Sequence, residues 1–97
     1  MVEKLVVELA ADPFSVEKNF ALAEEYERLH QHASAAGFFL RAAENGYKTH
    51  PLHTYASLLK MSLCWARQHD RQATAFVNLY EAMAFMPGRP EAYFFLS

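Results

Sequence analysis

Apolar residues recur along this chain at intervals of three and four, the spacing of helices buried along one side. Val2, Leu5, Val6 and Leu9 set the pattern and predict a short helix over 2–11. Asp12-Pro13 stops it and is suited to open the next helix, with Asp12 as N-cap and Pro13 in the first helical position. Phe20, Leu22, Ala23, Tyr26 and Leu29 carry that helix to about residue 30. A polar corner, His30-Gln31-His32, leads into a helix over about 33–45, which Asn45-Gly46 closes as a C-cap signal. After a loop over 47–50, Pro51 opens a longer helix to about residue 68. Asp70 is a good N-cap for a helix over roughly 71–86, Pro87-Gly88 ends it, and Pro90 opens a last helix running to Ser97. Val6-Val7 and Phe76-Val77 are too short to overturn this period, so the prediction is all-α with about six helices.

Laid on these elements is a repeated signature. Ala35-x3-Phe39-x2-Ala42 returns forty residues later as Ala75-x3-Leu79-x2-Ala82, and Leu22-Ala23-x2-Tyr26 stands ahead of the first copy. Small residues at fixed places let paired helices approach, while the large ones fill the space between layers. Leu5, Glu8 and Pro13 lie 34 residues before Phe39, Ala42 and Tyr47, and Tyr93, Leu96 and Ser97 lie 34 residues after Leu59, Ser62 and Leu63. The chain therefore reads as one domain: a half-hairpin over 2–11, a first hairpin over 13–45, a second and longer one over 51–86, and the start of a further helix over 90–97. The additional residues of the longer spacing fall between Tyr47 and Tyr55.

These landmarks resemble the tetratricopeptide repeat, a helix–turn–helix unit of about 34 residues. The match is strong over 19–45 and 73–97 and weak over 47–66, where Ser62, Leu63 and Ala66 stand in place of leucine, a small residue and tyrosine. The resemblance implies antiparallel helix pairs stacked into a superhelix whose inner groove binds a peptide or partner protein. By that analogy the first helix of each hairpin lines the groove. This places Phe20, Glu24, Glu27 and Arg28, then Lys60, Cys64 and Arg67, then Phe94 along one surface. A finer likeness is to the repeat segments beside bacterial family-2 glycosyltransferase domains. It rests on Phe38-Phe39-Leu40-Arg41-Ala42-Ala43-Glu44-Asn45-Gly46-Tyr47, on Tyr55-Ala56-Ser57-Leu58-Leu59, and on Tyr80-Glu81-Ala82 with Pro87-Gly88-Arg89-Pro90-Glu91-Ala92. No DxD motif of the catalytic domain is present.

Composition changes this picture little, except in one respect. Over 55–66 only Lys60 is charged and over 73–86 only Glu81, within a chain whose hydrophobic fraction of 53% exceeds the usual 45–50% or so. Helices apolar nearly all round are buried on more than one side, as the middle members of a stack are. The net charge of −2 offers no electrostatic footprint for nucleic acid. No apolar run is long enough to span a bilayer, and the charged N-terminus is unlike a signal peptide. The lone Cys64 excludes an internal disulfide and fits a reducing, cytoplasmic setting. The histidines invite a metal reading, but only His50 and His53 have a usable spacing, and no HExxH motif or second cysteine joins them. Glu24, Glu25, Glu27 and Arg28 read as a solvated helix face, and Cys64 beside Trp65 as a buried small apolar residue.

The expectation is thus a chain without catalytic residues, metal or cofactor. It serves as an interaction or assembly module for a peptide, a partner protein or an adjacent domain. An accessory segment of a glycosyltransferase and a self-assembling structural protein are the alternatives. Phe94 and Phe95 near the end of the last helix suggest a piece of something longer, or one half of a contact completed by another copy.

Overall fold

A computed structural model describes residues 2–68 and 72–91. Among these residues there are five α-helices and no strand: α1 Val2–Ala11, α2 Val16–Arg28, α3 His32–Gly46, α4 Pro51–Ala66 and α5 Gln72–Phe85. The fold is all-α, as the periodicity predicts. Successive helices pack on one another in chain order, and α2 also touches α4. That order, with short connections between helices, makes a layered stack of antiparallel hairpins measuring 38 × 31 × 16 Å. The cap expected at Asp70 and most of the helix expected over 90–97, including Phe94, lie outside the described residues.

The repeated signature marks the contacts that make the stack. Ala35, Ala42, Ala75 and Ala82 are all buried, as are Phe39 and Leu79 that stand between them, and Ala23 faces them from α2. Phe39 is the hub. It is fully buried and meets Phe20 edge-on, with ring centroids 5.4 Å apart. Beside it, Tyr26 and Phe38 stack at 5.6 Å and close the α2–α3 hairpin. The central helix is α4, buried on nearly every side through Tyr55, Leu58, Leu59, Met61 and Cys64, as its charge-poor sequence requires. Two of its buried polar residues, Thr54 and Ser62, are tied to neighbouring backbones, whereas the buried Ser57 hydroxyl has no partner among the described residues. Thr54 donates to Ala43 O at 3.2 Å and Ser62 to Ala75 O at 2.8 Å, so each hydroxyl fixes α4 against an adjacent helix. The apolar sequence of α5 has a different outcome: Phe76, Val77 and Tyr80 are each about half exposed.

The helix ends differ from expectation in two places. Asp12 and Pro13 do not start α2. They form a turn in which Ser15 N–H donates to Asp12 O at 3.1 Å with Pro13 at its second position, where its fixed φ fits. The N-cap is Ser15, whose hydroxyl accepts from Lys18 N–H at 3.2 Å. The buried Asn19 holds that turn down by donating to Pro13 O at 3.1 Å and Ser15 O at 2.8 Å. Nor does Gly46 act as a left-handed cap, since no glycine among the described residues has a positive φ. It sits inside α3, where a Cβ would meet Thr54 Oγ1 at 3.0 Å, Val16 Cγ1 at 3.2 Å and His50 Cβ at 3.3 Å. The left-handed residue is instead His30, with φ 61°. His30 N–H donates to Glu27 O and Gln31 N–H to Tyr26 O, both at 2.9 Å, which completes a Schellman motif at the end of α2.

Candidate functional site

The surface worth testing for function lies where α2 and α4, the first helices of the two hairpins, run side by side. Residues spaced by four and by seven share a helix face. Phe20, Glu24 and Glu27 therefore line up along α2, while Lys60 and Arg67 line up along α4 and just beyond it. The structure brings the two rows together through Lys60. Its ammonium lies 3.3 Å from Glu27 Oε1 and 3.9 Å from Glu24 Oε2, and it sits over the Phe39 ring at 5.8 Å from the centroid. The Lys60 stem covers the aromatic hub while its charge stays at the surface, so it is held at both ends.

Toward the start of α4 the same face becomes apolar and aromatic. Phe20 meets His53 edge-on at 5.3 Å, and together with Leu52 and Ala56 they line a shallow hollow of about 170 Å³. His53 lies 5.7 Å from His50, whose Nε2 is 2.8 Å from Glu17 Oε1 and whose Nδ1 is 2.8 Å from Thr49 Oγ1. Both histidines thus occupy one turn, as their spacing allowed. Yet among the described residues no group of three or more His, Cys, Asp or Glu side chains is placed to hold a metal ion.

Two of the expected groove residues depart from this cluster. Arg28 forms a two-pronged ion pair with Glu25, at 2.5 and 3.2 Å, and lines a hollow between α1 and α2. That hydrogen-bonded guanidinium holds the Glu25 carboxyl below its ordinary pKa. Cys64 is fully buried under the face and does not line it. Burial, helped by the charge of Glu27, pushes its thiol pKa up to about 11. It is therefore a protonated core residue at neutral pH, unsuited to nucleophilic work. Arg67 is exposed at the C-cap of α4, two turns beyond Lys60.

Among the described residues the face assembles no nucleophile, base and orienter, and Lys60, Glu24 and Glu27 are paired and partly solvated. The sequence reading placed Leu52 and His53 in the first turn of the helix opened by Pro51 but did not select them, because it weighed His53 only as a metal ligand beside His50 and looked for the lining residues further along that helix. It also did not select the apolar groove on the far side of α4, between α3 and α5. That groove depends on contacts between helices that no single-helix pattern reveals. No helix among the described residues is long and apolar enough to cross a membrane. Compared with known proteins, the chain matches no family model, no curated protein and no solved structure.

Proposed function

We propose that this chain is a tetratricopeptide-like interaction module, without catalytic activity, that binds a peptide or a neighbouring protein surface on its α2–α4 face. The observation that carries this reading is the continuous face made by Phe20, His53, Glu24, Glu27 and Lys60 across two hairpins. It offers an apolar aromatic end and a charged end within one strip, a combination that fixes both the position and the direction of a bound chain. An accessory segment beside a glycosyltransferase domain would use the same strip against that domain.

The test is a quantitative pull-down with Glu24→Lys/Lys60→Glu and Phe20→Ser/His53→Ser variants whose helicity matches the parent by circular dichroism. A partner retained by the parent and lost from both variants supports the reading. Equal retention by all three proteins refutes it. A self-assembling role is favoured by a separate observation, the exposed Phe76, Val77 and Tyr80 on α5. Under that reading, sedimentation gives a concentration-dependent dimer that Val77→Lys disperses.

A further inference from the structure

A second surface, which does not depend on the α2–α4 reading, lies on the opposite side of α4. Leu58 is two residues, about 200° of helix, from both Ala56 and Lys60, so it points away from the first face. There α3, α4 and α5 border an open groove of about 350 Å³, within the range of ligand-binding clefts. Leu58 is part of its floor, while Leu40 and Tyr47 of the α3 side face Phe85 of α5. The Tyr47 and Phe85 rings, 5.2 Å apart, close one end. Leu40 is 44% exposed and Tyr47 61% exposed, values that leave a large apolar area open to water. The hydroxyl of Thr54 in the floor is already committed to Ala43 O, so the floor makes no polar demand.

The ionised groups lining this groove are both acidic: Glu44 on α3 and Glu81 on α5. Glu44 makes no ion pair among the described residues. With the Asn78 amide oxygen turned to Trp65 Nε1, at 3.0 Å, the amide nitrogen donates to Glu81 Oε1 at 3.2 Å and leaves the second carboxylate oxygen open. The cations nearest Glu44 along the chain are Arg41, which lies over the Phe38 ring at 5.3 Å and does not pair with Glu44, and Lys48, one turn beyond it. Lys48 borders the neighbouring hollow with Tyr47 and pairs with neither acid. An apolar trough walled by two such carboxylates selects a complementary occupant, apolar along its middle and cationic along both flanks.

We propose that the α3–α4–α5 groove is a docking site for an amphipathic helix of a partner protein. The helix lays leucine-like side chains onto Leu40, Leu58 and Phe85 and directs lysine or arginine to Glu44 and Glu81. A helix suits the site because a trough between two helices receives side chains at i, i+3, i+4 and i+7 from one helical face.

The test titrates the whole chain with a capped synthetic peptide of about four turns, with leucine at helical spacing and lysine at the flanking positions. A second peptide carries glutamate in place of lysine. Amide chemical-shift changes concentrated on Leu40, Glu44, Tyr47, Glu81 and Phe85, with preference for the lysine peptide, support the proposal. Glu44→Gln/Glu81→Gln, a surface change that preserves the fold, should then weaken binding about tenfold. The same change at Glu24 and Glu27 should leave it unaltered. The proposal is overturned by equal binding of both peptides, by shifts centred on α2 and α4, or by a Glu44/Glu81 variant that binds as the parent does. It is equally overturned if nuclear Overhauser contacts in the free protein show the groove filled by a second copy or by segment 92–97.

Discussion

Gly37 and Gly46 are two glycines of one helix with opposite requirements. Around Gly37 a Cβ would meet nothing within 4 Å, so the position gives only the conformational freedom that makes glycine poor in helices. Gly37→Ala should therefore stabilise the protein by about 0.5–1 kcal/mol. At Gly46 the same methyl would press on Thr54 Oγ1, which its bond to Ala43 O holds in place, and on Val16 from the start of α2. Overpacking of this kind typically costs about 1–3 kcal/mol, so Gly46→Ala should destabilise despite its better propensity. Urea denaturation of the two variants should show shifts of opposite sign. Cys64 supplies a second prediction. Its thiol titrates at about 11 when folded, against about 8.5 in an unfolded chain, so the unfolded state releases its proton first. Stability from this group is complete below pH 8.5 or so and is lost as pH rises through 11, to the extent of about 3 kcal/mol. Cys64→Ala should flatten that alkaline slope in denaturation curves collected across the range. That Cys64 is buried was legible in its apolar helix, whereas the role of Gly46 was not. Asn45-Gly46 is a common cap pair, and only the approach of Val16 and Thr54 shows that close packing governs this glycine.

The helices themselves could be read closely from the sequence, and their connections less well. Each element from α1 to α5 lies within a few residues of its periodic pattern, because that pattern is the trace of the buried face each helix presents. The start of α2 was misplaced because Asp12, Pro13 and Ser15 are all good helix-opening residues. The choice between them is made by Asn19, a turn further on, whose amide holds the Asp12–Ser15 turn outside the helix. The end of α2 carries a sharper conflict, for His30 occupies the left-handed position of a Schellman motif that glycine usually fills. An L-residue there costs roughly 1–2 kcal/mol, of which glycine's greater unfolded-state freedom takes back a part. His30→Gly should thus raise stability by about 0.5–1 kcal/mol, whereas His30→Val, β-branched at a positive φ, should lower it by more than that. Thermal melts of the two variants on either side of the parent are the expected outcome. The exposed ring of His30 touches the ring of His32 at 6.0 Å, a minor contact whose loss does not reverse the sign.

At the level of the whole molecule, the order of contacts predicts an uneven distribution of stability. Each helix rests chiefly on its neighbours in the chain, so coupling passes mainly from one helix to the next, although one apolar cluster runs from α2 to α5. In that succession α4 is the best supported member, held by α3, α5 and α2 and bonded to two of them through Thr54 and Ser62. The least supported described helix is α1. It packs on α2 alone among the principal contacts, buries only Leu9, and leaves Val6 and Val7 facing outward. At ten residues it is also too short to persist in water without packing. Native-state hydrogen exchange should therefore show α1 amides opening by local fraying, at a free energy well below the global value. Amides of Phe39 to Ala43 and of Leu58 to Met61 should exchange only through global unfolding. Mild denaturant separates the two cases, because local opening exposes little surface and its rate hardly responds, whereas global opening follows the full denaturant slope. Leu9→Ala then sharpens the test. It should accelerate exchange throughout α1 while leaving α4 nearly unchanged, as expected when the coupling runs only through α2. An equal loss of protection in α1 and α4 would instead show one cooperative unit, and the stack would have to be treated as a single core in spite of its linear contacts.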